Sequence, residues 1–202
     1  MKPELSVVIP CLNEEKNIAS CLDSLIESSF PFHSMEIIVV DGMSTDNTRA
    51  IIEPYLKKYS NITLLDNPDK ITPVALNKGI LHSIADKVLI SGAHTAFSKD
   101  YISVLWKKMD ALNAHVVGGI MLTLPGNGSA KAHSIARALS SGFGVGNSMF
   151  RIGVKEDRRA DTVPFGMYQR EVFHKVGLYN PKLIRNQDIE LSGRIVSAGF
   201  SI

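Results

Sequence analysis

The run Glu36-Ile-Ile-Val-Val-Asp-Gly-Met-Ser-Thr-Asp-Asn-Thr48 narrows the choice of fold more than any other stretch of this chain. Ile37 to Val40 are four consecutive apolar, β-branched residues with no polar alternation. That is the pattern of a strand covered on both faces. Gly42 follows, free to take backbone angles that other residues avoid. Ser44, Asp46 and Asn47 are all good helix N-caps. Strand, acidic residue, glycine turn and capped helix make half of a βαβ unit. Asp41 then stands at the carboxyl end of its strand, where open α/β sheets bind ligands.

The same alternation recurs on both sides of that stretch. A first strand is predicted over residues 5–9, closed by Pro10, with a helix capped by Asn13 over 14–27. Beyond the strand at 36–40 come a helix over 46–59, a strand over 62–65, a helix over 72–85 opened by Thr72 and Pro73, and a strand over 87–90. This βαβαβαβ order predicts an α/β fold with a mostly parallel central sheet flanked by helices. The second half is less regular. It reads as a helix over 98–112, a strand over 116–124, a helix over 130–139, a short strand over 163–168 and a helix over 187–197 closed by Gly199. Residues 140–153 carry four glycines and read as a loop, either a lid or a connector. We expect a single domain over 1–202, with a nucleotide-binding half (1–95) and an acceptor and catalytic-base half (96–202). Ala198-Gly-Phe-Ser-Ile202 reads as a helix stop followed by the start of another strand, as in a C-terminally truncated chain.

Composition excludes several classes. A net charge of +2 over 202 residues gives no electrostatic footprint for nucleic acid. The cluster Lys155, Arg158, Arg159 is diluted by Glu156 and Asp157 and reads as a solvated loop. Two cysteines, Cys11 and Cys21, are too few for a disulfide framework and suit a reducing, cytoplasmic setting. No apolar run is long enough to span a bilayer, and the chain enters its first strand without a signal peptide.

Two constellations carry candidate chemistry. Pro10, Leu12 and Glu14 follow the first strand, beside Asp41 in a parallel sheet. Asp41 reads either as a cap on the next turn or as a carboxylate for a base or ribose. No GxGxxG or GxxxxGK[ST] follows either strand, so neither a dinucleotide fingerprint nor a P-loop is present. In the second constellation, Arg185 to Arg194, Asp188 lies at a helix start, where the dipole favours a carboxylate. It reads as an N-cap or as a general base. Glu190 and Arg194, four apart, can pair on one helix face.

These residues resemble those of a family 2 glycosyltransferase of the GT-A (Rossmann-like) fold, along essentially the whole chain. Leu5-Ser-Val-Val-Ile-Pro-Cys-Leu-Asn-Glu-Glu15 is similar to the family's opening strand motif. Val40-Asp-Gly-Met-Ser-Thr-Asp-Asn-Thr48 resembles its acidic nucleotide motif. Asn67 and Ala75-Leu-Asn-Lys-Gly-Ile80 match the segment before the fourth strand, and Asn186-Gln-Asp-Ile-Glu-Leu-Ser-Gly-Arg194 resembles the catalytic-base motif. Thr162-Val-Pro-Phe-Gly166 and the Asn-Gln-Asp-x-Glu form are similar to enzymes of succinoglycan and exopolysaccharide biosynthesis. The resemblance implies inverting transfer of a sugar from a UDP- or GDP-sugar to a saccharide or lipid-linked saccharide hydroxyl. By the same resemblance, Asp188 is the general base, and Asp41 binds base or ribose. Pro10, Leu12, Glu14, Asn77, Gly92 and His94 line the nucleotide-sugar site, and Arg185, Glu190 and Arg194 serve acceptor or phosphate. Work at the inner face of the plasma membrane, with peripheral attachment, is implied as well.

One departure stands out. Where the family carries Asp-x-Asp or Asp-x-His to hold Mn²⁺ or Mg²⁺ on the diphosphate, this chain has Ser91-Gly-Ala-His94. Gly92 supplies no carboxylate, and a lone imidazole suits Mn²⁺ better than Mg²⁺. Three readings follow. His94 and the diphosphate hold a metal with waters; or His94, Lys70 or Arg185 offset the phosphate charge without one; or turnover is lost and the chain only binds nucleotide. Of the remaining residues, His133, Arg137, Arg151, Arg158, Arg159 and Arg170 read as surface before acceptor or phosphate contacts, and Trp106 as helix packing before a sugar platform.

Overall fold

The computed structural model describes residues 2–145, 149–154 and 156–202; Lys155 of the basic cluster and residues 146–148 of the glycine-bearing loop lie outside the described residues. The elements run β1 (Leu5–Cys11), α1 (Ile18–Ile26), β2 (Met35–Asp41), α2 (Thr48–Lys58), β3 (Ile62–Asp66), α3 (Thr72–His82), β4 (Lys87–Ile90), α4 (Tyr101–Ala111) and β5 (Val116–Val117). After them come α5 (Ala130–Leu139), α6 (Gly142–Val145), α7 (Met149–Ile152), β6 (Met167–Gln169), α8 (Arg170–Val176) and α9 (Gln187–Ser197). The strands form one sheet in the order β3-β2-β1-β4-β6-β5. β1, β2, β3 and β4 are parallel, and β6 runs antiparallel between β4 and β5. The expected α/β architecture is therefore the observed one.

β1 sits at the centre, and its alternating side chains feed two cores. Val7 and Ile9 join Ile37, Val39 and Leu89 under α1 and α4. Val8 faces the other way and joins Val88, Ile90 and Leu76 of α3, with Val172, Leu191 and Ile195 of α8 and α9. Each such fully buried aliphatic side chain contributes about 1.5–3 kcal/mol. Gly79 lets α3 approach closely: a Cβ there would lie 2.3 Å from Val8 Cγ1. Register then sets the site. Cys11 pairs with Asp41, and Asp41 with Asp66, so three strands end level at the carboxyl edge.

The structure corrects several boundaries. Of the predicted strand at 116–124, only Val116–Val117 pairs in the sheet. At Gly118 and Gly119 the chain presses against Val163 and Tyr101, where Cβ atoms would lie 2.4 and 2.5 Å away. Beyond them Met121 N–H donates to Phe150 O (2.7 Å) instead of to a strand. The strand predicted at 163–168 begins only at Met167, because Phe165 sits at φ 47°. Residues 140–153 include the short helices α6 and α7. α8 had no counterpart in the sequence reading. Asn13 does not cap α1, which starts at Ile18; its Oδ1 accepts from Thr45 N–H (2.8 Å). No strand follows Gly199, although Ser201 O accepts from His115 and Val116 N–H beside β5.

Candidate active site

At the carboxyl edge of β1, β2 and β4 lies a cleft of about 510 Å³. Pro10, Leu12, Glu14, Gly42, Gly92 and His94 line it from the strand ends, and Gln187 and Asp188 from the start of α9. Its floor is tied together by main-chain contacts. Gly42 N–H donates to Cys11 O, and Asn67 N–H to Asp41 O, both at 2.7 Å. The turns after β1 and β2 interlock through Asn13 N–H to Ser44 Oγ and Glu14 N–H to Thr48 Oγ1, each 2.8 Å. Five of the six described non-glycine residues with positive φ flank this cleft: Asn13, Met43, Lys70, Phe165 and Asn186. Such conformations concentrate where a site dictates backbone shape.

Asp41 departs from the expectation that it faces the crevice. Its side chain is completely buried. Ser44 N–H and Oγ donate to its two oxygens at 3.1 and 2.5 Å, and Arg49 Nη1 donates to Oδ2 at 2.8 Å. Arg49 also reaches Asp66 Oδ1 at 2.8 Å. Asp41 therefore shapes the turn that carries Gly42, and Gly42 lines the cleft. Asn77 is likewise engaged elsewhere: it exchanges two hydrogen bonds with the Tyr179 main chain, at 2.8 and 2.9 Å. Glu190 and Arg194 form a two-pronged ion pair at 2.7 and 2.8 Å. Arg194 also donates to the carbonyls of Val176 and Leu178, fixing the α8–α9 connection. Neither lines the cleft, and Arg185 is exposed in the loop before α9. Trp106 packs as expected, 5.1 Å from Phe30 with Lys87 over its ring. Arg170 is a half-buried tether to Ala85, Ile80 and Ser83 rather than a surface residue.

Several cleft residues had no individual role in the sequence reading. Asn67 is buried, and its Oδ1 has no partner among the described residues; Gln187 Oε1 is in the same position. Both line the cleft, so it holds two buried acceptors that a ligand N–H or O–H can satisfy. Phe165, Tyr168 and Tyr179 form the wall near Asp188. Burial pushes the Tyr168 hydroxyl up to about 12 and raises that of Tyr179, and the negative charge of Asp188 adds to both. Lys70 brings positive charge to the rim, as one reading of the sequence had it, and so does Arg151, which corrects its assignment to the surface. A larger cavity, about 1240 Å³, lies under β5, but none of the strand-end residues above lines it.

A family model described as glycosyl transferase family 2 matches residues 6–177. The chain belongs to glycosyl transferase family 2. This family-2 chain is 30% identical over 98% of its length to a Methanococcus voltae dolichyl N-acetyl-alpha-D-glucosaminyl phosphate 3-beta-D-2,3-diacetamido-2,3-dideoxy-beta-D-glucuronosyltransferase. It is 31% identical over 97% of its length to the succinoglycan biosynthesis protein ExoA of Rhizobium meliloti. It spans 63% and 59% of those two proteins. A mannosyltransferase from Pyrobaculum calidifontis, solved with GDP-Man and Mn²⁺, superposes with a TM-score of 0.74 over 100% of this chain and 54% of that one, at 18% identity. The fold is thus the GT-A nucleotide-sugar transferase fold.

Among the described residues, no group of three or more His, Cys, Asp or Glu converges. Where the strand-end motif sits, Glu14 Oε1 lies 3.2 Å from the exposed His94 Nδ1, and Asn17 takes Oε2. Gly92 contributes nothing. A Cβ on it would lie 3.0 Å from the Phe165 ring, so that ring would have to give way to a carboxylate there.

Proposed function

We propose that this chain transfers a sugar, with inversion, from a nucleoside diphosphate sugar to an acceptor hydroxyl, with Asp188 as general base. The observation that carries the reading is that Asp188 opens into the same cleft as the strand-end residues Pro10, Leu12, Glu14 and Gly42. The nucleoside rests on Pro10, Leu12 and Gly42. Asp41 acts through the turn it anchors, and Asn67 Oδ1 accepts from a base N–H. Lys70, His94 and Arg151 balance the diphosphate charge. Asp188 takes the proton of the acceptor hydroxyl as its oxygen attacks the anomeric carbon. The bond from that carbon to the phosphate oxygen breaks, and the nucleoside diphosphate leaves. No protein nucleophile is required, because a single displacement inverts the centre.

The donor is a UDP- or GDP-sugar in this proposal. The acceptor is a saccharide, free or lipid-linked, in envelope or exopolysaccharide synthesis at the inner membrane face. The names of the two relatives, one for succinoglycan and one for a dolichyl-linked sugar, support that class of acceptor. Among the described residues no helix is long and apolar enough to cross a membrane.

Gly92 favours a second reading, a module that binds the nucleotide sugar without turning it over. Calorimetry with UDP and GDP, with and without Mn²⁺, followed by donor hydrolysis and transfer assays, separates the two. Nucleotide binding with turnover that Asp188→Asn abolishes supports the transferase. Binding without turnover under any metal supports the second reading.

A further inference from the structure

We propose that Gln187 selects the sugar of the donor: its buried side-chain oxygen accepts a hydrogen bond from a hydroxyl or amide N–H of that sugar. The proposal rests on the transferase reading above and adds a contact to it. The orphaned oxygen is the first observation. Gln187 Oε1 is buried in the cleft wall and has no donor among the described residues. Such an atom is a cost to the ligand-free protein, because it has given up water and gained nothing in exchange. Among the described residues one other buried side-chain oxygen is in that condition, Asn67 Oδ1. The two stand at opposite ends of the cleft. Asn67 follows β3, on one side of the order β3-β2-β1-β4-β6-β5, and its N–H is tied to Asp41 O beside the turn that carries Gly42. Gln187 opens α9, whose Leu191 and Ile195 share a core with Val88 and Ile90 of β4 and Tyr168 of β6. A nucleoside on Pro10, Leu12 and Gly42 sends its diphosphate past the end of β4, and the sugar beyond it reaches α9.

The backbone under Gln187 is fixed, which is what a selective contact needs. Asn186 enters the helix at φ 58°, and its carbonyl accepts from Glu190 N–H at 3.1 Å. Ser192 Oγ meets Thr162 Oγ1 at 3.1 Å, and Arg194 ties the far end to the carbonyls of Val176 and Leu178. The choice of an amide is the second observation. Asp188 is the next residue, and the diphosphate of the donor is anionic as well. An amide oxygen accepts as a carboxylate oxygen does, without adding a further negative charge to that pair. A site that accepts from a substrate O–H or N–H rejects a sugar lacking it, because the acceptor then stays unpaired.

Calorimetry tests this by comparing each free nucleotide with its sugar form: UDP with UDP-glucose and UDP-N-acetylglucosamine, and GDP with GDP-mannose. The chains are the wild type, Gln187→Met and Gln187→Glu. Methionine is of similar length and has no side-chain oxygen. Gln187→Met should weaken a sugar nucleotide about fivefold to tenfold and leave the matching free nucleotide within about twofold. Gln187→Glu keeps an acceptor. Its charge should weaken both ligands, with their ratio held near the wild-type value. Loss with both UDP-glucose and UDP-N-acetylglucosamine assigns a hydroxyl, and loss with the second alone assigns the amide N–H. Without ligand, the urea midpoint of Gln187→Met should hold or rise, since an unpaired buried oxygen has been removed. Equal weakening of free and sugar nucleotides, unchanged affinity for every sugar nucleotide, or a lowered urea midpoint overturns the proposal. A wild-type chain that binds none of these nucleotides overturns the transferase reading instead, and the proposal falls with it.

Discussion

At the scale of single residues, Asp188 and Asp41 divide the work the motifs assign to carboxylates. Asp188 meets the cleft, and Asp188→Asn should lower kcat by about 10²–10⁴-fold while donor affinity stays within a few-fold. Single-turnover kinetics beside calorimetry checks both. Asp41 is spent on Ser44 and Arg49, so its partner matters for folding. Arg49→Met leaves a buried carboxylate with one partner fewer. Arg49 is partly exposed, so the expected loss is about 1–3 kcal/mol in urea denaturation. Gly92→Asp tests the lost cation ligand. Alone it should destabilise by about 1–3 kcal/mol through collision with Phe165 and bring no Mn²⁺ binding. With Phe165→Ala it gains the room to bind, which titration with Mn²⁺ reads directly.

At the scale of elements, close approach of α3 to β1 decides how the central layer packs. Gly79→Val should destabilise by more than about 2 kcal/mol, because even a Cβ falls 2.3 Å from Val8. The first four strands were legible because each is a short apolar run punctuated by Pro10, Gly42, Pro68 or Gly92. The region after β5 was not. Ile120, Leu122 and Leu124 have the alternation of a strand, but Gly118 and Gly119 turn the chain out of the sheet to fit against Val163 and Tyr101. Those partners are distant in sequence and leave no local mark. The site was half legible for the same reason. Pro10, Leu12, Glu14, Gly92, His94 and Asp188 occupy strand ends or a helix start, where position together with the motif resemblance locates them. Asn77 and Arg194 sit in the same motifs yet serve packing, and only their main-chain partners reveal it, whereas the pairing of Glu190 with Arg194 follows from their spacing. Asn67 was marked as part of a motif, but its orphaned acceptor depends on burial.

At the scale of the whole molecule, burial of ionisable side chains sets the alkaline limit. Desolvation first, then nearby carboxylates, push Cys11 from 9.0 to about 12, and burial does the same to Cys21. Tyr168 rises from 10.0 to about 12 for the same main reason. The folded state keeps these protons where the unfolded chain has begun to lose them. Their stabilisation is complete below pH 9.0 and declines as pH rises toward 12, so the urea midpoint should fall steadily across that window. Both thiols should also resist alkylation at pH 8 until the protein unfolds.

The strand β6 is three residues long, yet it comes from the far half of the chain and covers the outer side of β4. A polypeptide cut after residue 95 would keep every strand that ends at the cleft and still lose that cover. Its fourth strand would present unpaired main-chain groups beside apolar side chains that α4, α8 and α9 cover in the full chain, an open invitation to self-association. The prediction is that such a fragment forms aggregates in gel filtration, and that adding residues 96–202 as a separate chain rescues it.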